Sequence, residues 1–498
     1  MKFLSTIFCL MGMSFFSFAQ MTLTIEQALD IAEDNNPQMR TAKLNFERTL
    51  FSLVAERAGL KPQLSLTLDP FSYYQERRFD SYRSEWYTNK TLSTGGVFQT
   101  VLPILLTDGV LSLTNTFDWA NRESQIWDNT TGKYEPRINK GFSNNLALRF
   151  DQPIFTFNRR QMTIKNLEFN HENSGISYAL ARLRTEQSIT SQFYEVYLSK
   201  NNLEISQAEL ENAKKNYDII KDKVDAELSA REELFQAEVN LANAESSVQL
   251  RDVTLRNTKD DLKKTLGLSL NEEIDVAVTI EVIPMLINEE KAIYSGLASR
   301  MELRQREIAI AKEDLAMIET KALNEFKGNV RLSVGIAGDD PNFGNIYSTP
   351  TNSPRVSISF NIPIFDWGQK KARIQAQKAA QVIAQYAYED EKIDIELFIR
   401  RSLRSLENLR RQIDIQAITV RNAQLTYELN QIRYREGDLT GLQMNQYQTQ
   451  LSNAKTSLVK AQIDYKKELL SLKILTLYDF ENDRQIIPVK ELQHISLR

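Results

Sequence analysis

The side chains that ordinarily carry bond chemistry are scarce in this chain. Among 498 residues, histidine occurs only at His171 and His494, and cysteine only at Cys9. A zinc-type centre needs three or four His, Cys or carboxylate ligands at defined spacing. A Ser–His or Cys–His couple needs an imidazole to activate its nucleophile. Neither is supplied, and there is no Gly-rich phosphate loop or nucleophile motif. The sequence therefore predicts no enzyme, no cofactor and no metal. With 61 basic against 65 acidic residues the formal charge is −4, which gives no footing for nucleic acid as the main partner. A composition 42% hydrophobic and 25% charged argues against disorder and against a polytopic helical membrane protein.

The elements that remain must explain an uneven use of Pro and Gly. None of the 12 prolines lies between 154 and 283 or between 364 and 487. The two proline-free windows copy each other at an offset of 210 residues. Pro153-Ile154-Phe155 recurs as Pro363-Ile364-Phe365, Tyr217 as Tyr427, Leu241 as Leu451 and Leu262-Lys263 as Leu472-Lys473. Copies this long indicate duplication within one fold rather than a short-period solenoid. Heptads fall at matching places. Ile189, Val196, Leu203, Leu210, Tyr217 and Val224 pair with Ile399, Leu406, Ile413, Val420, Tyr427 and Tyr434. Leu234, Leu241, Val248, Leu255 and Leu262 pair with Met444, Leu451, Leu458, Tyr465 and Leu472. A strict seven-residue period predicts left-handed coiled-coil packing, and a helix over 158–222 would rise about 100 Å at ~1.5 Å per residue. Each long helix meets a shorter one at a turn. The first turn is Ala226-Glu227-Leu228-Ser229, the second Gly437-Asp438-Leu439-Thr440-Gly441. Asn36-Pro37 reads as an N-cap followed by proline in the first helical position, and Ser299 with Glu302 as a capping box.

Four segments alternate with period two, around Leu64–Leu68, Leu146–Phe150, Val330–Ile336 and Val356–Ile362. One apolar and one polar face fits a half-buried sheet or a barrel with a wet lumen. Four strands cannot close a barrel that excludes lipid, so if these strands lie in a membrane several chains must contribute; three would supply twelve. Between the first two segments lies a long insertion with Phe71, Tyr73, Tyr74, Phe79, Tyr82, Trp86 and Tyr87 among Arg77, Arg78 and Arg83. It either packs on itself or grips lipopolysaccharide or another ligand. Its alternating run Leu111, Leu113, Phe117, Trp119 after Thr107-Asp108-Gly109 predicts an extra hairpin above the barrel. At the N-terminus Lys2, an apolar run and Ser17-Phe18-Ala19 read as an export signal over 1–19.

Pro363-Ile364-Phe365-Asp366-Trp367-Gly368-Gln369-Lys370, its copy at Pro153, the start Leu23-Thr24-Ile25-Glu26-Gln27-Ala28-Leu29 with Asn35-Asn36-Pro37, and the turn Tyr434-Arg435-Glu436-Gly437-Asp438-Leu439 resemble the TolC family of outer-membrane efflux proteins. The resemblance covers about 22–478. It implies a homotrimer with a twelve-stranded barrel in the outer-membrane lipid and a periplasmic helical barrel. It also implies a periplasmic adaptor partner and, through it, an inner-membrane pump. By position Ala226, Glu227, Leu228, Ser229, Gly437, Asp438, Leu439 and Thr440 become the docking tips. The family's acidic positions after the tip glycine are Gln443 and Gln446 here, so Glu232 and Glu233 become the candidate carboxylates of a cation-favouring mouth, or simply a solvated helix face. Phe155, Phe157, Phe365 and Trp367 fall where strand becomes helix, a depth that aromatics prefer. Arg159, Arg160, Lys370, Lys371 and Arg373 follow as headgroup contacts or as ordinary first-turn charges.

The expected organisation is a signal over 1–19 and a first repeat over 20–267. That repeat holds helix 37–60, strands about 62–70 and 144–154, insertion 71–143, and helices 157–222 and 230–266. A connector follows over 268–288. The second repeat spans 289–477, with helix 300–327, strands about 329–338 and 354–363, and helices 367–435 and 441–477. A tail over 478–498 ends the chain. The predicted function is a passive outer-membrane exit duct of an efflux or type I secretion system. The competing reading is a periplasmic coiled-coil adaptor or scaffold without a barrel, which explains the heptads but not the paired strands.

Overall fold

A computed structural model of the chain describes residues 21–277, 282, 285–436 and 438–486. The expected signal segment, Gly437, residues 278–281 and 283–284 of the connector and the tail from 487 lie outside the described residues. The elements in chain order are β1 (Met21–Leu23), α1 (Ile25–Asn35), α2 (Pro37–Gly59), β2 (Gln63–Asp80), β3 (Glu85–Ile104), β4 (Gly109–Asp128), β5 (Lys133–Ile154), α3 (Arg159–Asp225) and α4 (Arg231–Leu266). They continue with β6 (Ile274–Val276), α5 (Glu289–Ser299), α6 (Met301–Lys321), β7 (Lys327–Asp340), β8 (Thr351–Asn352), β9 (Arg355–Asn361), α7 (Gln369–Glu436), α8 (Gly441–Thr476), β10 (Tyr478–Asp479) and β11 (Arg484–Gln485). Two compact units result.

The first unit draws on Met1–Asn45, Gly175–Arg304 and Glu389–Arg498 and is mainly helical. Its long helices exist because the apolar residues recur every seven and no proline interrupts the backbone ladder. Every residue of the four heptad series is buried or half-buried. Ile189, Phe193, Val196, Leu262 and Leu266 close a core with Ala28 and Ala32 of α1 and with the parallel pair β1–β6. Ala423 of α7 packs on Leu451 and Ala454 of α8. Asn36 is the cap that its sequence suggests. Its Oδ1 accepts from the amides of Gln38 and Met39 at 2.8 and 2.9 Å, and its Nδ2 donates to the Thr265 carbonyl at 2.7 Å. Helix α4 ends at Gly267, whose φ of +74° and 2.3 Å clearance from the Asn35 carbonyl oxygen to a would-be Cβ leave no room for a side chain. The capping box expected at Ser299 and Glu302 does not form. Ser299 is the last residue of α5, Arg300 intervenes, and Glu302 pairs with Arg300 Nε at 3.0 Å instead.

The second unit, Phe46–Ser174 and Gln305–Tyr388, is organised by an antiparallel sheet of order β2-β3-β4-β5-β7, with β8 and β9 both pairing β7. This corrects the strand count read from the sequence: six long strands, not four, lie side by side. The insertion does not stand clear of the sheet as an extra hairpin. It supplies the outer part of β2, all of β3 and β4 and the first half of β5, and β3–β4 sits between the two expected strands, paired from Gln63↔Val101 to Asp80↔Glu85 with a bulge between Asp69 and Ser72 on one side and from Val110↔Asp151 to Asp128↔Lys133 on the other. The aromatic-basic group packs on itself, as Arg77 over Trp86 and Arg83 over Trp127, each at 4.9 Å.

Candidate functional site

The candidate site is the pair of turns that end the helical hairpins of the first unit. At the first, the amides of Glu227 and Leu228 reach back to the carbonyls of Val224 and Lys223 at 3.0 and 2.7 Å. This is a six-to-one closure that needs one left-handed residue. Glu227 takes that role at φ +62°. Leu228 is consequently thrust outward and is 79% exposed. Ser229 Oγ donates to Glu233 Oε2 at 2.5 Å, and Glu232 and Glu233 lie in the first turn of α4, where the helix dipole favours negative charge.

The second turn repeats the first. The Asp438 amide bonds the Arg433 carbonyl at 3.0 Å, each partner 210 residues beyond Leu228 and Lys223. Thr440 then caps α8 in a capping box. Its Oγ1 accepts from the Gln443 amide at 3.3 Å while Gln443 Oε1 accepts from the Thr440 amide at 3.1 Å. The Gln443 side chain is thus engaged at the helix start, whereas Gln446 is exposed. Asp438 and Thr440 are exposed and Leu439 is half-buried.

The two turns meet. The Lys223 ammonium lies 5.9 Å from the ring centre of buried Tyr434. Burial first, and then the charge of Glu233, push that phenol's pKa up. A cavity of about 460 Å³ opens behind the turns between α3, α4 and α8, lined by Asn216, Glu232, Glu233, Gln236, Asn240, Asn243 and Gln448 among others. Carboxamides and carboxylates of this kind can select and orient polar groups.

The aromatic residues expected at the strand-to-helix junctions belong to the second unit. Phe365 and Trp367 stack edge to face at 4.6 Å, with Trp367 89% exposed. Phe155 packs on Phe326 at 5.2 Å, and Phe326 on Phe360 at 5.3 Å. Phe157 is half-buried under Arg159. Two of the basic residues that follow are already paired, Arg160 with Asp108 at 3.0 Å and Lys370 with Glu325 at 2.8 Å. Asp366 caps α7, accepting from the amides of Lys370 and Gly368 at 3.0 Å each, and these bonds hold its carboxyl below the usual range. Sequence reasoning missed the tie between the insertion and α3. Asn158 Nδ2 donates to the Leu105 carbonyl at 2.5 Å, and Asp108 Oδ2 accepts from the Arg159 amide at 3.3 Å. The signal was visible as Asn158 standing where the second copy has Gly368.

Residues 329–476 match the family model described as outer membrane efflux protein. No curated protein sequence matches the chain. Among solved structures, the Campylobacter jejuni CmeC outer membrane channel is similar with a TM-score of 0.69 at 15% identity, covering 94% of this chain and 88% of that one. The open state of the Neisseria gonorrhoeae MtrE outer membrane channel gives 0.65 at 15% identity over 93% and 90%. The Vibrio cholerae outer membrane protein VceC gives 0.63 at 14% over 91% and 95%. Residues 329–476 are thus similar to the outer membrane efflux protein family, and the chain shares the fold of the outer membrane channels CmeC and MtrE.

Proposed function

We propose that the chain is the outer-membrane exit duct of a tripartite efflux or type I secretion system. It acts as a homotrimer that conducts substrates passively from a periplasmic adaptor and inner-membrane pump. The carrying observation is apolar surface that one chain leaves uncovered in both units. In the first unit α4 exposes Phe235, Val239, Leu250 and Val253, and α7 exposes Ile415, Ile418, Leu425, Leu429 and Ile432, each more than half accessible. Both stripes follow helical spacing, and single-copy exposure on this scale marks an interaction surface. Neighbouring copies of the same chain cover them. In the second unit, Leu64, Leu66, Leu68, Val334, Val356 and Ile358 stand exposed on one sheet face, a face suited to lipid. A soluble adaptor or scaffold would leave that face in water.

In this reading the work is electrostatic and mechanical, with no bond made or broken. Ala226, Glu227, Leu228 and Ser229, with Asp438, Leu439, Thr440 and the undescribed Gly437, are the surfaces that seat the adaptor. Glu232 and Glu233, three copies of each, bias the mouth toward cations. Crosslinking in cells tests the docking role. A photoreactive residue at Leu228 or Leu439 is expected to capture a periplasmic adaptor, and a trimer that inserts normally yet captures none from either position would contradict it.

A further inference from the structure

The exposed apolar face of the sheet does not stop at the strands that the repeat accounts for. Directly paired residues share a face, so the register defines two surfaces across all six strands. One runs from Leu66 through Phe98, Asn115 and Leu146 to Ile336, and one step lower from Leu64 through Thr100, Leu113 and Leu148 to Val334. The opposite surface carries Ser65, Gln99, Thr114, Ala147 and Gly335, with Arg149 and Ser333 beside them. The inserted β4 keeps the same alternation as its neighbours, with Leu111, Leu113, Phe117 and Trp119 on the side of Leu148 and Val334 and Ser112, Thr114, Thr116 and Asp118 on the other, while β3 follows it in part, with Leu92, Phe98 and Leu102 on the first side and Ser93 and Gln99 beside Val97 and Val101 on the second.

Two further observations place the β3–β4 pair at the same depth. At one end, Phe117 of β4 joins Phe142 of β5 and Phe343 beyond β7 in one aromatic cluster, with ring centres 5.6 to 6.1 Å apart. The bulge of β2 at Pro70 and Phe71 falls near the same level, between Asp69↔Gly95 and Ser72↔Ser93. At the other end, the turn after β3 is bolted to the start of α3 through Asn158 and Arg160, beside the Phe155–Phe326–Phe360 stack. From Phe142 to Ile154 the chain advances about 30 Å normal to a membrane at ~3.3 Å per residue and ~40° tilt, close to the height of a barrel's apolar band with its aromatic girdles.

We propose that β3 and β4 are membrane strands, so that each chain contributes six and the trimer closes a barrel of eighteen. The edges suit such closure. Among the described residues β2 pairs only with β3 and β9 only with β7, and the even count keeps β9 of one copy antiparallel to β2 of the next. At ~4.8 Å between strands and ~40° tilt, eighteen strands close at a backbone diameter of about 36 Å, against about 24 Å for twelve. The exit would then be of porin width, admitting bulky cargo on the outer side.

The inference rests on the trimeric outer-membrane reading, and the test separates the two. After removal of the expected signal the chain has no cysteine, so single variants can be spin-labelled without background. Phe98→Cys and Leu113→Cys probe the apolar face of the inserted strands, Gln99→Cys and Thr114→Cys their polar face. Val334→Cys and Ser333→Cys serve as benchmarks on β7. In trimers reconstituted into lipid vesicles, labels at 98, 113 and 334 should favour oxygen over a water-soluble nickel chelate several-fold more than labels at 99, 114 and 333. If 334 reports lipid while 98 and 113 report water, the hairpin lies outside the membrane and the inference is overturned. If 334 itself reports water, the outer-membrane reading fails with it.

Discussion

Asp275 has the most loaded position in the first unit. It sits on β6, paired to β1, with the Lys200 ammonium at 2.6 Å and the Lys259 ammonium at 3.5 Å. Burial alone would raise its pKa. The bond from Lys200, the Val276 amide and the charges of Lys259 and Lys200 outweigh that and hold it below the usual range. A carboxyl depressed on folding contributes stability that is full above its unfolded pKa of about 3.9 and fades as pH falls through the folded value. Asp275→Asn should therefore weaken protection of the β1 and β6 amides from hydrogen exchange at pH 7, and the gap to the parent should close below about pH 4. A gap that persists unchanged at pH 3 would mean the charge is not what matters. Nothing near Asp275 in sequence announces this role, because Lys200 lies 75 residues away and only the helical packing joins them. The Asn36 cap was legible for the opposite reason: it acts on amides two and three residues ahead.

At the scale of elements, heptads and absent prolines predicted the long helices to within a few residues, because period and continuity are local properties. The strands were harder. Strand β3 offers Leu92, Thr94, Gly96, Phe98, Thr100 and Leu102 on its apolar face, where threonine and glycine dilute the alternation, and the Pro70–Phe71 bulge reverses the parity of β2 midway. The turns carry the duplication most plainly, closing with the same hydrogen bond 210 residues apart. The first holds Glu227 left-handed, a conformation costing an L-residue roughly 1–2 kcal/mol. Glu227→Gly should accordingly gain about 1 kcal/mol locally, seen as slower exchange at the Leu228 amide. Faster exchange there would show that the side chain itself holds the turn.

For the whole molecule, uncovered apolar surface is the common thread. One chain exposes helical stripes in its first unit and a two-sided sheet with free edges in its second, and each demands a partner or a lipid phase. No described helix is apolar and long enough to cross a membrane; in the proposed reading the crossing falls to the sheet. The scarcity of His and Cys fits the same picture, since a duct selects by width and charge. The most direct test is to extract the protein from outer membranes and reconstitute it in planar bilayers. A heat-resistant trimer that needs detergent for release and gives discrete conductance steps is the expected result. A monomer that leaves the membrane fraction in plain buffer and forms no channel would contradict the account.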